Sequence, residues 1–193
     1  MAARQAASTR ADSSSKTSLP PTQIPSNALV HSTASFKGQF DINVGPKAII
    51  QLRSRIDSTY APVRLGAGCI IYERASIGYL SRPSHVADGG VTIGDGVIIE
   101  SGAVIEATSI GSHTTIEAHC RIGKEAVIGA YCKVCSGVEV GEKAVLTEGT
   151  LVWGSGWDQR RVESDVQKDN VHSTRRQLAD GLNAGIRAIW SPK

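Results

Sequence analysis

The 193-residue chain has few aromatic residues, one methionine, no long apolar run and no strong charge bias. Its net charge of +3 is too small and too scattered to indicate a nucleic acid or an anionic membrane as partner. No stretch approaches the length of a membrane span, and Met1–Gln5 lacks the apolar run of a signal peptide. We therefore expect a soluble, intracellular protein.

What the chain does have is an aliphatic residue at every sixth position of its second half. These residues are Ile110, Ile116, Ile122, Ile128, Val134, Val140, Leu146 and Val152. Four positions after nearly every one lies a small residue: Thr114, Cys120, Ala126, Cys132, Val138, Ala144 or Thr150. Neither an α-helix nor an alternating strand has a period of six. A hexapeptide repeat does, and it predicts an all-β fold, a left-handed parallel β-helix with three flat sides.

The repeat continues upstream with interruptions. Ile93, Ile99 and Ile105 keep the register, but one residue is missing before Ile110. Further units begin near residues 24, 44 and 65. We expect the aliphatic residues to point into the core and the small ones to fit near its corners.

Segments without the repeat divide the chain. Residues 1–22 are rich in Ser, Thr, Ala and Pro and predict a disordered tail. Residues 23–157 form the β-helix domain, from which residues 80–90 project as a loop. Residues 158–193 are expected to form a polar linker and a C-terminal α-helix. One face of that helix carries Val171, Leu178, Leu182, Ile186, Ile189 and Trp190.

The four cysteines are predicted to be structural. Cys69, Cys120 and Cys132 occupy small positions of the repeat and should pack as small apolar side chains. Cys132 and Cys135 have the spacing of half a zinc site, but no second pair exists. We expect neither a metal nor a cofactor here.

Two enzyme classes use this fold, and acyl transfer is the first. Hexapeptide acyltransferases use a histidine as general base on the acceptor. Among the five histidines only His85 lies in the predicted loop, with Asp88 as its nearest acidic candidate partner. A lone loop histidine is usually only solvated, but this class stays open as an alternative.

The second class is the γ-type carbonic anhydrases, whose zinc is bound by three histidines. The stretch that begins at Ile93 is similar to their zinc-binding segment, but Ser101 and Glu106 stand where two of the histidines belong. His113 and His119 are six residues apart, so they should lie at different corners and not converge on one ion. A carbonic-anhydrase-like protein remains a further alternative.

The segment after the last coil carries the most specific resemblance. Residues 151–162, read LVWGSGWDQRRV, resemble the exit motif of the dynactin subunit 6 family, and the order of coils, loop and terminal helix is similar as well. The sibling dynactin subunit 5 lacks the paired arginines, which here are Arg160 and Arg161.

That resemblance implies a non-enzymatic scaffold subunit at the pointed end of dynactin, the activator of the microtubule motor dynein. It implies a cytoplasmic, cytoskeletal location. It also implies a heterodimer with dynactin subunit 5, contact with the actin-related cap protein and other pointed-end subunits, and recruitment of dynein adaptors and cargo. Candidate partner-binding residues are Trp153, Trp157, Arg160 and Arg161, of which the tryptophans could instead cap the final coil.

Overall fold

The computed structural model describes residues 19–84, 90–154 and 158–161, together with Gln177 and Gly181. Short strands separated by four-residue corners wind through three sheets, so each sheet receives every third strand. This is the parallel β-helix predicted from the period of six. Two residues of each hexapeptide form the strand and the others form the corner.

Sheet A contains seven parallel strands: β1 (Thr22–Gln23), β4 (Ile42–Val44), β7 (Val63–Leu65), β10 (Val91–Ile93), β13 (Ser109–Ile110), β16 (Val127–Ile128) and β19 (Val145–Leu146). Sheet B contains β2 (Leu29–Val30), β5 (Ile49–Ile50), β8 (Ile70–Ile71), β11 (Ile98–Ile99), β14 (Thr115–Ile116), β17 (Lys133–Val134), β20 (Thr150–Trp153) and β21 (Asp158–Arg161).

Sheet C contains β3 (Ser35–Gly38), β6 (Arg55–Ser58), β9 (Ser76–Ile77), β12 (Val104–Ile105), β15 (Arg121–Ile122) and β18 (Glu139–Val140). The first eighteen strands therefore make six complete coils. The chain passes from sheet A to sheet B to sheet C in each coil, and we name the corners AB, BC and CA accordingly.

The core is a column of aliphatic side chains inside the prism. Each coil adds one inward residue per sheet directly above its counterpart, as where Ile71 pairs with Ile99 and Ile99 with Ile116. All three are fully buried. Burial of such a side chain contributes about 1.5–3 kcal/mol, so the repeated column is the main source of stability. The small positions are buried as predicted, including Thr114, Cys120 and Cys132.

The missing residue shortens one corner, because the inward residues Ile105 and Ile110 are five positions apart instead of six. Only Glu106, Ala107 and Thr108 connect β12 to β13 at the CA corner of the fourth coil. In the third coil the same corner is expanded instead, because the chain leaves after β9 and returns to the prism at Gly90. Residues 80–84 begin that excursion, and residues 85–89 lie outside the described residues.

The polar segment after residue 157 begins with a strand that the sequence did not predict. β21 pairs antiparallel with β20, and Leu151 lies opposite Arg160. Of the expected C-terminal helix, only Gln177 and Gly181 are described, and both are helical. The rest of that helix and the predicted tail up to residue 18 lie outside the described residues. In the described part of the chain, no helix is long and apolar enough to cross a membrane.

Candidate functional site: a groove at the shortened corner

The candidate site lies where the excursion of the third coil passes the shortened corner of the fourth. Glu106 follows β12 directly, and its side chain is almost completely buried, with 4% exposure. Its Oε1 accepts a hydrogen bond of 2.9 Å from the backbone N–H of Leu80. Its Oε2 lies 3.9 Å from Nη2 of Arg121, an ion-pair distance rather than a hydrogen bond. The carboxylate is therefore held in one position.

A second carboxylate, that of Glu125 at the CA corner of the fifth coil, binds the other end of residues 80–84. Oε1 of Glu125 accepts hydrogen bonds of 2.6 Å from both the backbone N–H and the hydroxyl of Ser84. Its Oε2 lies 3.8 Å from Nζ of Lys143. Residues 80–84 thus run along the CA corner between two anchored ends.

A groove of about 370 Å³ opens beside this segment. Its floor is formed by sheet C and by the CA corners of three successive coils. Its lining carries three carboxylates and two cationic groups, which gives it a formal charge of −1. The lining residues are Leu80, Ser81, Glu106, Arg121, Gly123, Lys124, Glu139, Val140, Gly141 and Glu142.

This groove was not among the sites predicted from the sequence. Arg121, Lys124, Glu139 and Glu142 belong to different repeats, and only the stacking of coils brings them together. Two signals did point to the location: the residue missing before Ile110 and the interruption at residues 80–90. Neither signal identifies which charged side chains face the groove.

The histidines behave partly as expected. His113 lies at the AB corner of the fifth coil and His119 at its BC corner, both with left-handed backbone conformations (φ 59° and 58°). They are at different corners, as the spacing predicted, and neither lines the groove. His85, the candidate base, lies outside the described residues.

The two positions that replace the expected zinc ligands lie on either side of β12. Ser101 is in the BC corner, where its carbonyl oxygen accepts a hydrogen bond from the backbone N–H of His119. Glu106 is at the CA corner. Within the described ranges, no group of three or more His, Cys, Asp or Glu side chains is close enough together to bind a metal ion.

The buried cysteine thiols are poor nucleophiles. Burial raises the pKa of Cys69 to about 12 and also raises the pKa values of Cys120 and Cys132. Because the thiolate is the reactive form, these three side chains contribute to packing, which confirms the structural role predicted for them.

The predicted partner-binding residues lie at the C-terminal end of the prism, after the last complete coil. Trp153 ends β20, is 38% exposed and lies opposite Asp158 of β21. The backbones of Arg160 and Arg161 belong to β21, opposite Leu151 and Thr150. Trp157 lies outside the described residues. These residues belong to sheet B or its exit segment, whereas the groove lies at sheet C and the CA corners.

Comparison with known proteins agrees with this architecture. A family model described as the hexapeptide repeat of succinyl-transferase matches residues 81–107 and 113–152. A hexapeptide transferase family protein from Anaplasma phagocytophilum shares 15% identity with this chain at a TM-score of 0.69, over 86% of this chain and 92% of the other. A proposed acetyltransferase from Bacillus cereus shares 16% identity at a TM-score of 0.59, over 86% and 90%. No curated protein matches the chain significantly.

The chain is therefore a hexapeptide-repeat protein with a transferase-like fold. The expectation of a non-enzymatic chain was wrong, since the matching family model and both similar structures are described as those of transferases. The prediction was wrong because it rested on the absence of a zinc site. Ser101 and Glu106 in place of histidines exclude one kind of zinc site, but acyl transfer needs no such site.

Proposed function

We propose that this chain is an acyltransferase and that the groove at the shortened corner binds the acceptor of the acyl group. The observation that carries the proposal is Glu106, a carboxylate held by Leu80 beside an open groove. The transferase descriptions of the matching repeat model and of the similar folds support the same class of reaction.

In the proposed reaction an amine or hydroxyl of the acceptor attacks the carbonyl carbon of an acyl-CoA thioester. The carbon–sulfur bond breaks, and CoA leaves and is protonated to its thiol. The proton of the acceptor passes to a general base. We assign that role to Oε2 of Glu106, because Oε1 accepts the hydrogen bond from Leu80. The buried thiols of Cys69, Cys120 and Cys132 favour direct transfer over an acyl-cysteine intermediate.

The charge of the groove indicates the class of acceptor. Glu106, Glu139 and Glu142 outnumber Arg121 and Lys124, so a cationic group is attracted more than an anionic one. A volume of about 370 Å³ suits a small polar molecule. The acceptor is therefore a small polar molecule with a primary amine, which is attracted as the ammonium and loses one proton to solvent before it attacks. Glu106 takes the second proton as the carbon–nitrogen bond forms, and this proton passes to the leaving CoA thiolate.

The test is release of free CoA thiol by the purified full-length chain, with acetyl-CoA or succinyl-CoA as donor and matched panels of small amines and alcohols as acceptors. The proposal predicts thiol release that depends on an amine, together with the amide product by mass spectrometry. Thiol release that no acceptor stimulates, or none above that of the heat-denatured chain, would contradict it.

A second proposal concerns assembly and rests on a different end of the molecule. We propose that the exit segment is a docking site through which the chain joins dynactin as its subunit 6, with dynactin subunit 5 as direct partner, in the cytoplasm and on the cytoskeleton. The observation that favours it is β21, which carries the paired Arg160 and Arg161 and forms the edge of sheet B among the described strands. Such an edge is suited to a protein partner.

Affinity purification of the tagged chain from native extract tests this second proposal. It predicts recovery of the actin-related cap protein and dynein, and loss of both with Arg160→Glu/Arg161→Glu. The control is Arg64→Glu/Arg82→Glu, which makes the same charge change at exposed positions away from β21. Equal recovery by the two double variants, or no recovery of these proteins by the wild type, would contradict it.

A further inference from the structure

The outer face of sheet B carries three isoleucines that solvent does not reach. Ile49, Ile70 and Ile98 are adjacent in the parallel ladder and are 0%, 1% and 7% exposed. They do not belong to the interior core, because their strand partners Ile50, Ile71 and Ile99 point inward and side chains alternate along a strand. The three residues form a separate apolar cluster on the outside of the prism, with Tyr72 packed against it.

The same position of the repeat is exposed elsewhere. Val127 and Val145 are the outward residues of β16 and β19 on sheet A, and they are 38% and 68% exposed. On sheet B itself, Lys133 is the outward residue of β17 and is exposed. Coil stacking alone therefore does not bury an outward residue. A further part of this chain must cover Ile49, Ile70 and Ile98.

We compared the amino-acid compositions of the segments outside the described residues, because one of them must cover the three isoleucines. Residues 1–18 contain no Leu, Ile, Val or aromatic residue, and residues 85–89 and 155–157 are too short. Residues 162–193 contain Val171, Leu178, Leu182, Ile186, Ile189 and Trp190. An apolar sheet face is stabilised by an apolar face of this kind.

Two described residues give the orientation. Gln177 and Gly181 are helical and both are exposed to solvent. At about 100° per residue they lie roughly 40° apart on one side of a helix. A continuous helix with this periodicity would place Leu178, Leu182 and Ile186 about 100° to 180° away from Gln177, on the side opposite to the two exposed residues.

The length of residues 162–193 also matches the distance from β21 to the apolar cluster. β21 ends beside Thr150 at the edge of sheet B, and six strand spacings separate β21 from β5. At about 4.8 Å per spacing this is about 29 Å. A helix of about 20 residues spans 30 Å, and 32 residues follow Arg161.

We propose that residues 162–193 fold back from β21 along sheet B as an intramolecular strap, and that the apolar side of this strap covers Ile49, Ile70 and Ile98. The outer face of sheet B around these three isoleucines is thereby closed to partners, whereas the edge strand β21, sheets A and C, and the groove on the CA side remain accessible. This inference is independent of the proposed acyl transfer, because its tests measure packing and not turnover.

Photo-cross-linking in the full-length chain tests the occupant directly. Tyr72 is half-buried at the border of the cluster and is replaced by p-benzoylphenylalanine. After irradiation, the proposal predicts cross-links to residues 162–193 of the same chain. A one-to-one mixture with isotopically labelled chains distinguishes cross-links within one chain from those between two. Cross-links to residues 1–18, to a second chain, or to no residue beyond 161 would overturn the proposal.

A matched pair of substitutions tests the contact itself. Ile70→Asp places a charge under the strap, and Val145→Asp places the same charge at an exposed outward position. Native-state trypsin cleavage after Arg175, Arg176 and Arg187 should become at least about tenfold faster in Ile70→Asp and remain unchanged in Val145→Asp, because cleavage follows opening of the strap. Equal cleavage rates in the two variants would overturn the proposal. If Ile70→Asp fails to fold, the cross-linking result decides.

Discussion

At the scale of the residue, the AB corners of the second to the sixth coil restrict two positions for different reasons. At the first position the next coil lies so close that a Cβ does not fit: a Cβ on Gly45 would lie 2.3 Å from the carbonyl oxygen of Gly66. At the third position the backbone is left-handed, as at Gly68 (φ +64°), where a Cβ would have nothing within 4 Å. The first restriction is steric crowding, and the second is backbone strain.

These two restrictions predict different costs for the same substitution. Gly45→Ala should destabilise the fold by about 3 kcal/mol or more, because backbone atoms of the next coil must move. Gly68→Ala should cost about 1 kcal/mol, the strain of an alanine in the left-handed region. Chemical denaturation of both variants measures the difference. Equal losses of unfolding free energy would contradict the steric account of the first position.

A surface ion pair on sheet B gives the stability a pH dependence. Nζ of Lys133 lies 2.7 Å from Oε1 of Glu117, whose Oε2 accepts hydrogen bonds of 3.0 Å from the N–H and hydroxyl of Ser136. The hydrogen bond from Lys133 lowers the pKa of Glu117 below 4.5, and the hydrogen bond to Glu117 raises the pKa of Lys133 above 10.5.

The pair should therefore stabilise the fold most between these two limits. The contribution of Glu117 is present above its unfolded pKa of 4.5 and is lost as pH falls through the lower folded value. The contribution of Lys133 is present below 10.5 and is lost as pH rises through the higher folded value. Because the lysine is half exposed, we expect less than about 1 kcal/mol from the pair.

Glu117→Gln should flatten the stability profile between about pH 5 and pH 3, measured by denaturation at each pH. Glu142→Gln is the control, because its carboxylate is 67% exposed and lies 4.0 Å from Lys124. A profile for Glu117→Gln as steep as that of the wild type would show that the ion pair contributes nothing.

At the scale of the element, strand positions follow from the sequence wherever the hexapeptide period holds. Ile99, Ile116 and Val134 stack as the period predicts, and the missing residue before Ile110 appears as a three-residue corner. β21 could not be predicted in this way. Its sequence, Asp-Gln-Arg-Arg, has no apolar alternation, and it is a strand because its backbone pairs with β20.

The excursion after β9 depends on one anchor that can be removed without strain. Glu125 has a left-handed backbone (φ 60°) and binds Ser84 through its carboxylate. Glu125→Asn keeps a residue that tolerates this conformation but shortens the side chain, so Ser84 loses its acceptor. Hydrogen exchange of the Ser84 amide should become at least about tenfold faster.

Arg74→Asn is the control for that experiment, because Arg74 has the same conformation (φ 57°) at a BC corner. Exchange at Ser84 should stay at the wild-type rate in this variant. Unchanged exchange at Ser84 in Glu125→Asn would mean that residues 80–84 are held by other contacts.

At the scale of the whole molecule, the fold could be derived from the sequence but the groove could not. The core needs only one aliphatic residue in six, which is visible in the linear order of residues. The groove requires Glu106, Arg121 and Glu139 to be neighbours. These residues come from three successive coils, and the number of residues in a coil changes wherever the chain has an insertion or a shortened corner. The resemblance at residues 151–162 concerns the exit of the prism at sheet B and gives no information about this corner.

The same limit explains the wrong prediction about enzymatic activity. The zinc-binding segment of the γ-type carbonic anhydrases has histidines at the positions that correspond to Ser101 and Glu106 of this chain. In the structure, the carboxylate of Glu106 is buried, accepts a hydrogen bond from Leu80 and lines a groove, and none of these features is visible in the sequence. A charged group is seldom buried unless it is paired or has a function.

The central claim is tested most directly by kcat/KM for acyl transfer in three forms of the full-length chain: wild type, Glu106→Gln and Glu73→Gln. Glu106→Gln keeps an oxygen that can accept the hydrogen bond from Leu80 but cannot take a proton, so kcat/KM should fall about 100-fold or more with little change in thermal stability. Glu73 does not line the groove, and Glu73→Gln should retain wild-type kcat/KM. Equal kcat/KM in all three forms would contradict the assignment of Glu106 and of the groove as the site of acyl transfer.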